Sequence, residues 1–149
     1  AFGIFTAQGY PGYQWQFDNL KATTLWERKG VWDPTKDPEG RNPPGRSLNH
    51  PFHSGYDGWF YEGLGGIRPL GDNPGYQHFE LSPVFPKDLE WVEASYKTGY
   101  GKIVSNWQRH GNTIHWQFEV PNNSSAKVSL QGKPSRIYEA GQHSITIEQ

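Results

Sequence analysis

Two short segments hold the residues best suited to chemistry, Ala22–Glu27 and Ser47–His50. The first sets a carboxylate, Glu27, beside an indole, Trp26, and the second supplies an amide and an imidazole, Asn49 and His50. Aromatic rings cover the apolar face of a sugar, while carboxylate, amide and imidazole hold hydroxyls and move a proton. Glu27 has two readings at this point: a general base or acid, or a surface carboxylate paired with Arg28 or Lys29. His50 and His53 stand three apart, which suggests a metal pair, but no further ligands follow at suitable spacing, so no metal is expected. His50 is read as a hydrogen-bond partner for substrate and His53 as a packing or surface residue. There is no Gly-x-Ser-x-Gly elbow for a nucleophilic serine and no glycine-rich phosphate loop.

These residues sit in a chain of 149 residues with a net charge of −1, which gives no electrostatic footprint for nucleic acid or an anionic membrane. No apolar run reaches the roughly 20 residues that span a bilayer. Hydrophobic residues make up 34%, yet aromatics reach 15% with seven Trp, so much of any core must be built from rings. Zero Cys removes disulfides and zinc-thiolate sites. Zero Met, and a start at Ala1 without a leader pattern, suggest a piece of a longer protein or a mature or truncated form.

The elements that must position the site change character along the chain. Tyr13, Phe17 and Leu20 recur at helical spacing over Tyr13–Leu20, with Trp15 off that face. Val31–Arg46, with five Pro or Gly breakers between Pro34 and Pro44 and Gly45 beyond, reads as a long loop. Ser47 or Asn49 can cap a second helix that begins at Pro51. That helix would carry Phe52, Tyr56, Trp59, Phe60, Gly63, Leu64 and Ile67 on a packing face and end at Gly65–Gly66. Beyond Tyr76 come short β-like runs: His78–Leu81, Leu89–Tyr96, Lys102–Trp107, Thr113–Val120, Ala126–Leu130 and Ser144–Glu148, with Ile137–Glu139 weaker. His110–Thr113 reads as a hairpin turn, and Asn122–Ser125, although it contains glycosylation sequons, as a polar turn. Helices are therefore followed by an antiparallel sandwich or barrel, with the seam near Pro69–Gly75.

In order, Tyr10–Tyr13, Ala22–Arg28, Ser47–His50, Gly63–Pro69 and Pro74–Phe79 resemble the C-terminal end of bacterial α-L-rhamnosidases of glycoside hydrolase family 78. Leu89–Trp91, Ala94–Tyr96 and Tyr100–Ile103 continue the resemblance, which covers nearly the whole chain. It implies an α+β fragment, the last helices of an (α/α)6 barrel over residues 1–70 followed by an antiparallel β-sandwich over residues 71–149. It further implies inverting hydrolysis of terminal α-L-rhamnosyl groups, with two carboxyls about 6.5–9.5 Å apart around a water. Glu27 would be the general base, His50 and Asn49 would bind the rhamnose, and Trp26 would shape the pocket. The general acid of that family lies upstream, outside this chain.

The implied partners are a rhamnose-containing glycoside or polysaccharide and the remainder of the barrel; no cofactor, nucleic acid or membrane is expected. An extracellular or periplasmic location is expected over a cytoplasmic one. The alternative is a non-catalytic carbohydrate-binding or structural β-sandwich with a helical extension.

Overall fold

A computed structural model describes residues 2–10, 12–27, 47–71, 73 and 75–149. The loop expected over Val31–Arg46 lies outside the described residues, as do Arg28 and Lys29, the suggested ion-pair partners of Glu27. The chain forms two compact units, Ala1–Tyr56 and Asp57–Gln149.

The first unit contains helices α1 (Phe2–Thr6) and α2 (Tyr13–Leu20) and a 3-10 turn over Pro51–Tyr56. Helix α2 has the expected bounds and ends on Lys21 in the left-handed region, φ 52°, whose N–H bonds the Gln16 carbonyl. Its buried face is not the expected one: Gln16 and Leu20 are buried, one helical turn apart, whereas Phe17 is exposed. Tyr13 instead joins a cluster of rings, stacked on Phe5 at 5.3 Å and tilted against Tyr56 at 5.4 Å. α1 is five residues long with Gly3 inside it, too short to show a periodicity.

The helix expected from Pro51 to Ile67 is a correction. The segment runs as a 3-10 turn (Pro51–Tyr56), a single turn α3 (Asp57–Trp59) and a π-turn (Phe60–Leu64), and Ile67 starts strand β1. Gly55, Gly58 and Gly63 remove side chains and add backbone freedom where a regular α-helix needs support. Its aromatic residues do not make a buried face: Phe52 is 87% exposed, and Phe60 and Tyr61 are also exposed.

The second unit is mostly β-sheet: β1 (Ile67–Pro69), β2 (His78–Leu81), β3 (Trp91–Thr98), β4 (Gly101–His110), β5 (Thr113–Val128) and β6 (Arg136–Glu148). β1 joins the sheet from the N-terminal side of the 70/71 seam. The hairpin at Gly111–Asn112 is present, with Gly111 at φ 61° in the position that a type II′ turn gives to glycine.

The sheet turns on its two longest strands. Thr113–Glu119 of β5 pairs with β4, while Ser125–Val128 pairs with β2, and β6 follows β5 on both sides of the change. The turn expected at Asn122–Ser125 is instead an irregularity within one strand, with a register shift between Val120 and Ser125 and Asn123 at φ 60°. Pro121, which lacks an N–H for the ladder, is tolerated at such a bulge. The same continuity merges the two expected C-terminal strands into β6.

The purely antiparallel expectation is also corrected, because β2 runs parallel to β5. A parallel neighbour needs a crossover, and the β3–β4 hairpin lies between the two in the chain. Residues of both wings, among them Phe79, Leu81, Ala126 and Val128 from one and Ile103, Trp107, Ile114, Trp116 and Phe118 from the other, close on one core. Both core indoles keep their N–H satisfied: Trp107 donates to the Leu64 carbonyl at 3.0 Å and Trp116 to the Ser105 hydroxyl at 3.0 Å.

Candidate functional site

The two segments singled out for chemistry lie side by side in the first unit. The Glu27 N–H donates to the Ser47 carbonyl at 2.9 Å, and the His50 N–H donates to the Leu25 carbonyl at 2.7 Å. The Thr24 hydroxyl donates to the Leu48 carbonyl. Three bonds of this kind, 20 to 25 residues apart in the chain, fix one segment against the other although neither forms a regular strand.

Ser47 is the joint. Its N–H donates to the Glu27 carboxylate at 3.1 Å, so Glu27 bonds Ser47 through both its backbone and its side chain. The Ser47 hydroxyl donates to the Asn49 carbonyl at 2.8 Å and accepts the Asn49 N–H at 3.1 Å. This compact turn explains the serine at position 47 physically: serine and threonine hydroxyls satisfy the backbone two residues on, whatever side chain stands there. Sequence reasoning gave Ser47 only a capping role. The available signal was the serine itself, a residue type whose hydroxyl bonds the backbone two positions on.

Glu27 and His50 are half-buried, Asn49 is exposed and Trp26 is 3% exposed. Trp26 therefore presents almost no ring face to solvent. His53, read from sequence as packing or surface, is drawn into the same cluster. Its Nδ1 lies 3.0 Å from the Trp26 carbonyl, and its ring meets that of His50 edge-on at 5.0 Å. Among the described residues no group of three or more His, Asp or Glu is placed to hold a metal ion.

The second unit carries a separate feature. A groove of about 380 Å³ lies on the outward face of β4, β5 and β6, lined by Val104, Asn106, Gln117, Glu119, Gln142 and Ser144 together with Phe118 and His143. Register places these side by side: Val104 opposite Glu119, Asn106 opposite Gln117, then Gln117 opposite Ser144 and Glu119 opposite Gln142. The Asn106 side-chain oxygen accepts the Ala94 N–H at 3.2 Å, which orients that amide.

The family model for the bacterial α-L-rhamnosidase C-terminal domain matches residues 66–144. The chain belongs to that family. It is 33% identical over 130 residues to an α-L-rhamnosidase of Formosa agariphila, covering 87% of this chain and 13% of the relative. It is 35% identical over 127 residues to one of an Alteromonas species, covering 85% of this chain and again 13% of the relative. The chain thus spans only a small part of the length of these curated relatives.

The crystal structure of the Aspergillus terreus α-L-rhamnosidase matches at a TM-score of 0.80 and 27% identity, over 98% of this chain and 17% of that one. The Streptomyces avermitilis α-L-rhamnosidase, solved with L-rhamnose, has the same fold over 97% of this chain and 16% of its own, at a TM-score of 0.80 and 21% identity. Glu27, Asn49 and His50 lie upstream of the segment that the family model covers.

Proposed function

We propose that the chain is the C-terminal part of an inverting α-L-rhamnosidase, with residues 1–70 ending an (α/α)6 barrel, residues 71–149 forming the sandwich, and Glu27 acting as the general base. The observation that supports this best is the pairing of the two motif segments, which sets the Glu27 carboxylate on the Ser47 amide and ties His50 to Leu25. A base must be held at fixed orientation to meet its water, and a carboxylate anchored through backbone and side chain meets that need.

In the proposed reaction Glu27 takes a proton from a water whose oxygen attacks the anomeric carbon from the face opposite the leaving group. The glycosidic C–O bond breaks with its electron pair going to the departing oxygen, which a carboxylic acid from the upstream barrel protonates. His50 and Asn49 hold rhamnose hydroxyls, and Trp26 helps to shape the pocket. The partners are a rhamnose-bearing glycoside or polysaccharide and the rest of the barrel, and the location is extracellular or periplasmic. Exchanging Glu27→Gln in the full-length enzyme is expected to lower kcat by about 10³-fold or more with the fold intact. Near-normal turnover by that variant, measured on a chromogenic α-L-rhamnoside, would remove Glu27 from the mechanism.

The outward groove favours a second reading, a carbohydrate-binding sandwich. Its volume falls within the roughly 300–1,000 Å³ of small-ligand sites, and its amides, hydroxyl and carboxylate suit sugar hydroxyls. Titration of the chain with rhamnose separates the two. Saturable binding lost in Gln117→Ala and indifferent to Glu27→Gln would favour the binding module.

A further inference from the structure

We infer that His53 is a positioning residue for the Glu27 carboxylate, an inference that rests on the reading of Glu27 as the base. The peptide unit between Trp26 and Glu27 has two polar atoms, and both are held. Its carbonyl, on Trp26, faces His53 Nδ1 at 3.0 Å, and its N–H, on Glu27, donates to the Ser47 carbonyl at 2.9 Å. A third bond, from the Ser47 N–H, reaches the carboxylate itself at 3.1 Å. With the peptide plane fixed at both ends, the φ angle and the side-chain torsions of Glu27 remain, and the carboxylate bond restrains those.

The tautomer follows from the partner. A carbonyl oxygen only accepts, so His53 Nδ1 carries the proton and, in the neutral ring, Nε2 does not. His53 is itself anchored to the other segment: its N–H donates to the His50 carbonyl at 3.1 Å, and the two rings meet edge-on at 5.0 Å. One side chain therefore links the segment that carries the base to the residue read as holding the sugar. Nothing in the arrangement requires His53 to touch substrate. It acts through the backbone of Glu27.

The test uses two substitutions in the full-length enzyme. His53→Phe keeps a ring against His50 but has no donor, whereas His53→Asn keeps an N–H three bonds from Cα, where Nδ1 stands. Displacing a catalytic group by a fraction of an ångström costs rate rather than binding. His53→Phe is therefore expected to lose about tenfold in kcat with KM unchanged, and His53→Asn to retain most of the activity. Placed on Glu27→Gln, His53→Phe should add no further loss. Wild-type kcat in His53→Phe, equal damage in His53→Asn, or an additive loss on Glu27→Gln would overturn the inference. A Glu27→Gln enzyme of normal rate would instead overturn the assignment of the base. Should His53→Phe fold poorly, imidazole ¹⁵N shifts of the unsubstituted protein decide. The Nδ1–H tautomer is expected for His53, and Nε2–H would refute the hydrogen bond.

Discussion

The two units stabilise themselves in different ways. Asp57–Gln149 closes both wings of its sheet on one shared core, and the indole N–H groups of Trp107 and Trp116 reach partners inside it. In the described part of Ala1–Tyr56 the buried apolar residues are Leu20 and Trp26, and a glutamine, Gln16, is wholly buried with neither side-chain polar atom partnered. Phe52 meanwhile stands 87% exposed. A unit that buries an unpartnered amide and exposes a phenylalanine is less consistent internally than the sheet. The difference teaches that sheet and site obey separate constraints: the sheet satisfies its own polar and apolar groups, and the unit that carries the candidate site does so less completely.

The largest effect should come from the self-sufficient unit. Gly66 has φ 70°, and a Cβ there would lie 2.2 Å from the Pro83 nitrogen and 2.5 Å from the Ser82 carbonyl carbon. Gly66→Ala is expected to cost about 3–5 kcal/mol in urea unfolding of the sheet, through strain and overlap together. A cost below about 1 kcal/mol would mean that the β1 side of the core yields more easily than its packing implies.

Gln16 tests the first unit. In the chain alone Gln16→Leu should raise local stability by about 1–3 kcal/mol, read from amide exchange along α2, because an unpaired buried amide is removed. Faster exchange in that variant would show that Gln16 already has a partner and would weaken the contrast between the units.

A smaller effect concerns Tyr76, which sits at φ 64°, an uncommon conformation for a bulky residue, with its ring 5.0 Å from that of Tyr96. Burial, then Tyr96 and Glu62, push its phenol above the ordinary value of 10.0. The unfolded chain therefore releases this proton first, and the contribution is complete below pH 10 and is lost as pH rises through the raised value. Tyr76→Phe should lose less Tm than the parent between about pH 9 and 11. An identical alkaline slope in both proteins would contradict the assignment.

Much of the second unit was legible because its strands follow simple rules. The alternation of Thr113–Val120, the Gly111–Asn112 turn and the short run His78–Leu81 each specify their structure locally. What escaped was non-local. Pro121–Asn123 looks like a break, yet β6 pairs on both sides and carries β5 through it as a bulge. Residues Pro51–Ile67 have helical spacing, but three glycines and the pull of Ile67 into the sheet leave only irregular turns. In the site, Glu27 and Ser47–His50 were legible by residue type and order. The bonds from Ser47 and His53 were not, because they depend on how two segments some 20 residues apart meet.

The role of Glu27 is tested most directly by supplying Glu27→Gln in the full-length enzyme with azide. An anionic nucleophile needs no base, so it bypasses the missing proton transfer while leaving the acid to act. The account predicts that azide restores turnover and yields a rhamnosyl azide of inverted anomeric configuration. A product of retained configuration, or hydrolysis by Glu27→Gln at the unsubstituted rate without azide, would contradict it.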